Sequence, residues 1–310
     1  MCCTTTMTLT EAYQQCQDQL VEAGLLISLG VPGLYGLSGV FEDVVERFEL
    51  TVTKRAKPLH AEVMRFPAIL NRAHYLQTTH IENFPDLMGS VHTFTGNEHD
   101  HAKLLDKRAN GEDWTRDLTP TQVMMTPAAC YPLYPTATGT TLSADGRIVD
   151  LRSFVFRHEP SPDPARMQIF RQREFVRMGT AEQALEHREY WLNVGEDILN
   201  SVGLKVERVV ANDPFFGRGG RMMAAAQKEQ DLKFELVHPV ATSEKPTAIT
   251  SCNYHIDHFG HAFDIRTADG KYAHTACIGF GLERIALALF MAHGFDPDHW
   301  PNEVKSVLAL

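Results

Sequence analysis

The sequence predicts an α+β fold, an antiparallel sheet carrying helices, and three observations predict it. From residue 147 onward the chain reads as strands joined mainly by hairpins. Helical stretches are inserted among those strands without strict alternation. No Gly/Ser linker, repeat or low-complexity tract divides the 310 residues, of which 44% are hydrophobic, enough for one large domain or two modest ones.

Residues 8–28 read as an amphipathic helix opened by Thr10, and Ser38 is placed to cap a second helix through "GVFEDVVERF". "HAEVMRFPAI" alternates like a strand and is stopped by Pro67. "NRAHYLQTTHIENF" reads as helix, and the polar, Gly-interrupted stretch 95–120 as mostly excursion. "RIVDLRSFVFRHE" is a strand entering a turn with Pro160, Pro162 and Pro164, and "QIFRQREFVRM" is its return. A helix over about 181–201 follows, then the strand "LKVERVVA", the helix "RMMAAAQKEQ" and the strand "LKFELVHPV". "TAITSCNYHI" and "GHAFDIR" read as two further strands ahead of an apolar helix, "GLERIALALFMAHG".

The formal net charge of -10 disfavours wholesale binding of nucleic acid unless a local basic face exists. The 15 His read first as solvated surface. The N-terminal stretch has no basic region ahead of an apolar core, so no signal peptide is expected. Apolar runs such as "IALALFMA" fall far short of the ~20 residues of a membrane span. Cys2, Cys3, Cys16, Cys130, Cys252 and Cys277 lack pair spacing, which argues against a disulfide framework and for a reducing cytoplasm. Each widely separated Cys reads as a small buried residue or as a metal ligand.

Chemistry concentrates in three stretches. Arg157 and Glu159, two apart on a strand, leave on one face, and Phe175 on the return strand offers a flat surface. An Arg fork grips phosphate, a Glu accepts from an exocyclic amine, and an aromatic ring stacks on a purine. The same residues would equally serve as a surface ion pair worth under ~1 kcal/mol, with Phe175 as core. In "ACIGFGLERIALALF", Gly279 and Gly281 precede a helix with Arg284 in its first turn, where a phosphate could be met. Third, Cys130, Glu174 and Cys277 each adjoin one of these elements or the turn "TPAACYPLYP".

The "FRxE" hairpin followed about 120 residues later by "GxGxER" resembles motifs 2 and 3 of the class II aminoacyl-tRNA synthetases, and "MRFPAI" resembles their degenerate motif 1. The resemblance implies that fold, with motif 1 building a homodimer interface. It implies that Arg157 grips the α-phosphate of ATP, Glu159 reads the adenine amine, Phe175 stacks on adenine and Arg284 holds the γ-phosphate. It also implies a zinc ion, one per chain, on Cys130, Glu174 and Cys277, resembling the atypical archaeal seryl-tRNA synthetases, where zinc holds the substrate amino group. For the neighbours Glu174 and Phe175 both to face the site, twist or a bulge has to break strand alternation.

Within that branch, "FPAILNRAHYLQTTHIENFPDLMGSVHTF", "FRHEPSPDPARMQIFRQREFVRMGT" and "SCNYHIDHFG" resemble the amino acid:[carrier protein] ligases. That family implies ATP-dependent adenylation of glycine or alanine, then transfer to the phosphopantetheine thiol of a carrier protein. Glu235 is the candidate for ATP-bound Mg²⁺, and Ser251 and Asn253 resemble the strand lining the metal and amino-acid pockets. Two departures stand out: Ala248, where seryl enzymes have a Glu, and Gly179, where many such hairpins have an acid four residues after the stacking Phe. The expected organisation is a single catalytic domain over 1–310, with N-terminal helices (1–58), an inserted helical region (about 181–230) and no tRNA-binding module. Arg218 and Arg221 in "FFGRGGRMM" make that insert the expected dock for an acidic carrier. A minimal seryl-type aminoacyl-tRNA synthetase and a non-catalytic paralogue are the alternatives.

Overall fold

A computed structural model describes residues 7–310, so Cys2 and Cys3 lie outside the described residues. Its centre is a seven-stranded sheet with the strands in the order 62–65, 147–156, 169–179, 274–281, 247–254, 233–238 and 207–210. Glu62–Arg65 pairs in parallel with the next strand, and every other pairing is antiparallel. The α+β expectation therefore holds. A three-stranded sheet (69–71, 119–125, 90–93) and a small hairpin (26–28 with 35–37) flank the main sheet.

One face of the main sheet is covered by the helices Gly39–Ala56, Ala181–Ser201 and Leu282–His293. Phe175, Ile278, Phe280 and Leu236 project into that core and are fully buried. Phe175 stacks on Trp191 at 4.3 Å between centroids, and Phe280 meets Phe48 at 6.0 Å. The long helix sits close on the sheet at Gly195, where a Cβ would come within 2.9 Å of Ile278. The opposite face is left open and carries the candidate site.

Several boundaries differ from the sequence expectation. The first helix is Leu9–Glu22; Thr8, not Thr10, caps it, through a reciprocal capping box with Glu11. The chain then turns at Gly24 (φ +70°) into the strand Leu26–Ser28. Ser38 caps the second helix as expected. The excursion 95–120 contains a real helix, Glu98–Ala109, capped by Asn97 and with no buried residue. "GHAFDIR" is not a strand: His258–Ala262 is a short helix, and the strand comes later, at His274–Gly281. The region 181–230 holds two helices, Ala181–Ser201 and Gly217–Glu229, separated by the edge strand Glu207–Val210. Among the described residues, no helix is long and apolar enough to cross a membrane.

Candidate active site

A cavity of about 200 Å³ opens on the free face of the sheet. Its floor is set by strand register. Glu174, Gly279, Ser251 and Glu235 lie side by side across four strands, and Cys277, Asn253 and Lys233 form the next row. Gly279 leaves space between its neighbours: a Cβ there would lie 3.6 Å from Glu174 and 3.7 Å from Ser251. Seven predicted residues therefore meet around one cavity on the floor and walls: Arg157, Glu174, Glu235, Ser251, Asn253, Cys277 and Arg284. Cys130 joins them from the turn after strand 119–125.

Phe175 does not. The hairpin 147–156/169–179 runs in unbroken register, so no bulge interrupts the alternation, and Phe175 faces the helices, opposite to Glu174. The aromatic wall is Phe170, on the same strand face as Gln172 and Glu174. The guanidinium groups of Arg157 and Arg284 stand 5.7 and 5.5 Å from its ring centroid. Glu174 lies four residues after Phe170, so the acid found missing at Gly179 is present once the stacking residue is moved. Glu159 also differs from expectation: it does not line the cavity but pairs with Arg166 at 3.1 Å across the Pro-rich turn.

Both cavity arginines are held by backbone carbonyls. Arg157 Nε donates to Pro127 O (3.0 Å), while Arg284 donates to Ala165 O (2.8 Å) and Ala248 O (3.0 Å). Burial first, and then the nearby charges of Arg166 and Arg157, bring the Arg284 guanidinium down to about 10. Positive charge is crowded at this end of the cavity, which favours an anionic ligand.

The sulfur end is different. Glu174 Oε1 accepts the Ala129 N–H (3.1 Å), whereas its Oε2 is buried with no partner. Burial and the neighbouring Cys277 raise this carboxyl to about 8. Hydrogen bonding between the two sulfurs pushes the Cys277 thiol down and, together with burial, the Cys130 thiol up. Asn253 Nδ2 donates to Cys277 Sγ at 3.6 Å, and His255 Nε2 lies 3.7 Å from the same sulfur. Two thiols and a carboxylate with an unpartnered oxygen are a donor set suited to zinc. As the side chains stand, no group of three or more His, Cys, Asp and Glu among the described residues is arranged to hold a metal. The donor chemistry therefore fits a zinc ion, and the side chains would have to close around it.

Glu235, expected at Mg²⁺, is paired with Lys233 at 3.1 Å, and Lys233 also binds Asp213 at 2.6 Å. The buried ammonium gives Glu235 a cationic partner already. Lys233 and Asp213 had no sequence motif to announce them, and His255 lies within "SCNYHIDHFG" without a role of its own there, whereas Phe170 was signalled by its alternation with Glu174. Arg221 is exposed on the helix Gly217–Glu229; the side chain of Arg218 lies outside the described ones.

No family model matches the chain. Curated relatives do. The chain is 43% identical over 294 residues to amino acid–[acyl-carrier-protein] ligase 2 of Bradyrhizobium diazoefficiens, covering 94% of this chain and 87% of that protein. It is 39% identical over 287 residues to ligase 1 of the same organism. A type-2 serine–tRNA ligase of Methanococcus aeolicus is 27% identical over 59% of this chain and 36% of its own length. Among solved structures, M. kandleri SerRS, in complex with A. aeolicus tRNASec, superposes with a TM-score of 0.80 at 20% identity. That match covers 94% of this chain and 60% of the synthetase, and at this identity it speaks for the fold alone. The fold is that of the class II synthetases, and by its two Bradyrhizobium relatives the chain belongs to the amino acid–[acyl-carrier-protein] ligase family, a family of enzymes.

Proposed function

We propose that this chain activates glycine or alanine with ATP as an aminoacyl-adenylate and passes the aminoacyl group to the phosphopantetheine thiol of a carrier protein. The observation that carries the reading is the crowding of Arg157 and Arg284 about the Phe170 ring, a cationic end with an aromatic wall in the cavity on the open sheet face of a ligase-family chain. In the first step a substrate carboxylate oxygen attacks the α-phosphorus and the bond to pyrophosphate breaks. Arg157 neutralises charge at the α-phosphate, Arg284 at the γ-phosphate, and Phe170, in place of Phe175, stacks on adenine. In the second step the thiol sulfur attacks the acyl carbon and AMP departs.

Cys130, Glu174 and Cys277 would hold the zinc, which when bound supplies a Lewis-acid hold on the substrate amino group. Magnesium enters with ATP, and Glu235 would serve it through the carboxylate oxygen that Lys233 does not engage. The exposed edge strand Glu62–Arg65, with Val63 63% exposed, supports a homodimer built there. The helix Gly217–Glu229 exposes Met222 beside the basic Arg221, and Phe216 is exposed just ahead of it, which supports a carrier dock in the 181–230 region; the acceptor in this reading is the carrier and not tRNA. We place the chain in the cytoplasm.

The test is amino-acid-dependent ATP–pyrophosphate exchange across all amino acids, followed by mass analysis of a phosphopantetheinylated carrier. Exchange with glycine or alanine and an aminoacyl mass shift on the carrier are expected. Charging of total tRNA with no carrier loading would instead favour a minimal synthetase.

A further inference from the structure

The nucleotide reading places its two ends on different elements: Phe170 on the return strand of the hairpin, Arg284 on the helix Leu282–His293. Something must fix their separation. Each has a neighbour in the chain, Arg171 and Glu283, and these two are joined twice. Glu283 Oε2 accepts the Arg171 backbone N–H at 2.7 Å, and Oε1 accepts Arg171 Nε at 2.6 Å. The ladder between strands 169–179 and 274–281 ends at Gln172 opposite Gly281, so Glu283 extends the pairing by one residue after the strand has become a helix.

The other side of the same guanidinium is also occupied. Arg171 Nη1 and Nη2 donate to the two carboxylate oxygens of Glu42 at 2.6 and 2.9 Å. Glu42 stands in the first turn of the helix Gly39–Ala56, outside every motif that carries the family resemblance. The Glu283 side chain is 2% exposed and that of Arg171 12%, so solvent screens their pairing little, while Glu42, at 37%, grips the same guanidinium from a partly exposed position. A planar fork with both edges engaged admits one orientation.

We infer that Glu42, Arg171 and Glu283 form a positioning clamp that sets the distance between Phe170 and Arg284, and that Glu42 is therefore a determinant of ATP affinity from a helix that does not line the cavity. The inference rests on the proposed nucleotide site. None of the three residues touches ATP; they act through Phe170 and Arg284, so the amino-acid end of the cavity is outside their reach.

The experiment is steady-state pyrophosphate exchange on the full chain with Glu42→Ala, Glu42→Gln and Arg171→Lys, with thermal unfolding alongside. Glu42→Ala should raise the KM for ATP on the order of tenfold, as expected when one member of a coupled network is removed. The KM for the amino acid should stay unchanged. Glu42→Gln should fall between, because it keeps one acceptor, and Arg171→Lys should match Glu42→Ala, because a lysine cannot bridge two carboxylates as a fork does. A structural role alone would lower the unfolding temperature without splitting the two KM values. Wild-type exchange with an unchanged ATP KM in a folded Glu42→Ala chain overturns the clamp alone. Absence of ATP-dependent exchange in wild type removes the nucleotide reading, and the clamp with it.

Discussion

Exchanging the roles of Phe170 and Phe175 is open to a direct test, because the two rings should fail in different ways. Phe175 is fully buried, 4.3 Å from Trp191 and with the Arg173 guanidinium 5.3 Å from its centroid. Phe175→Ala opens a core cavity and should cost about 3–5 kcal/mol, on the order of 10 °C in unfolding temperature, while the KM for ATP in surviving enzyme stays near that of wild type. Phe170→Leu keeps bulk at the cavity wall and removes the π face. Base–aromatic stacking is worth ~1–3 kcal/mol by substitution, so the ATP KM should rise roughly 5- to 150-fold, with a smaller loss of unfolding temperature than in Phe175→Ala because the buried Phe170 keeps most of its volume as Leu. Pyrophosphate exchange and calorimetry on the two variants decide the matter. If Phe175→Ala weakens ATP while Phe170→Leu leaves it untouched, the stacking role returns to Phe175 and the face assignment is wrong.

Metal analysis of purified wild-type chain should find about one zinc per chain, and Cys277→Ala should lose it; wild type that is active and metal-free would falsify the zinc reading. Charge reversal at Arg218 and Arg221 should slow carrier loading and leave pyrophosphate exchange alone, with the defect shrinking as salt rises; equal loading by the double variant moves the dock elsewhere. His187 is buried, its Nε2 3.0 Å from Phe175 O, and burial holds its pKa down at about 4. Being depressed below the unfolded value of ~6.5, it contributes stability that is complete above about pH 6.5 and lost as pH falls toward 4. Urea midpoints should therefore fall between pH 7 and 5, and His187→Gln should reduce that fall by on the order of 2 kcal/mol; an identical slope in the variant argues against a neutral buried imidazole.

The hairpin and the glycine-led final helix were legible because each is a local pattern whose spacing survives folding, whereas Cys130, Glu174 and Cys277 lie far apart in the chain and were grouped only through the family resemblance. The error at Phe175 was local too. Two phenylalanines five apart on one strand lie on opposite faces, and counting back from Glu174 by twos selects Phe170. The first helix carried its own correction, since Thr8 stands three residues before Glu11. Glu98–Ala109 was missed because a helix that buries nothing shows no apolar period, and only its Asn97 cap marks it. Asp213 could not be found from sequence. Its loop is placed by tertiary contacts, Phe215 stacked 5.0 Å from Phe84 and the Phe216 N–H on Asn83 O at 2.8 Å, and those partners lie on a distant helix and its flank.

The one parallel pairing within the main sheet should form after the hairpin beside it. Strand Glu62–Arg65 reaches its partner across a gap of 85 residues, the separation of the Glu62–Arg147 ion pair, whereas 147–156 and 169–179 are joined by a short turn. Closing so long a segment is slow, because its entropy is lost before any strand contact rewards it. Pulse-labelled hydrogen exchange should find amides along the hairpin protected before those of 62–65. Until that strand arrives, the outer edge of 147–156 is an unpaired template in the newly made chain, open to the wrong partner. The charged pair Glu62–Arg147 and the contact of Arg65 with Asp150 O at 2.8 Å then close that edge after the hairpin has formed, making a segment from far up the chain the guard of its outer strand.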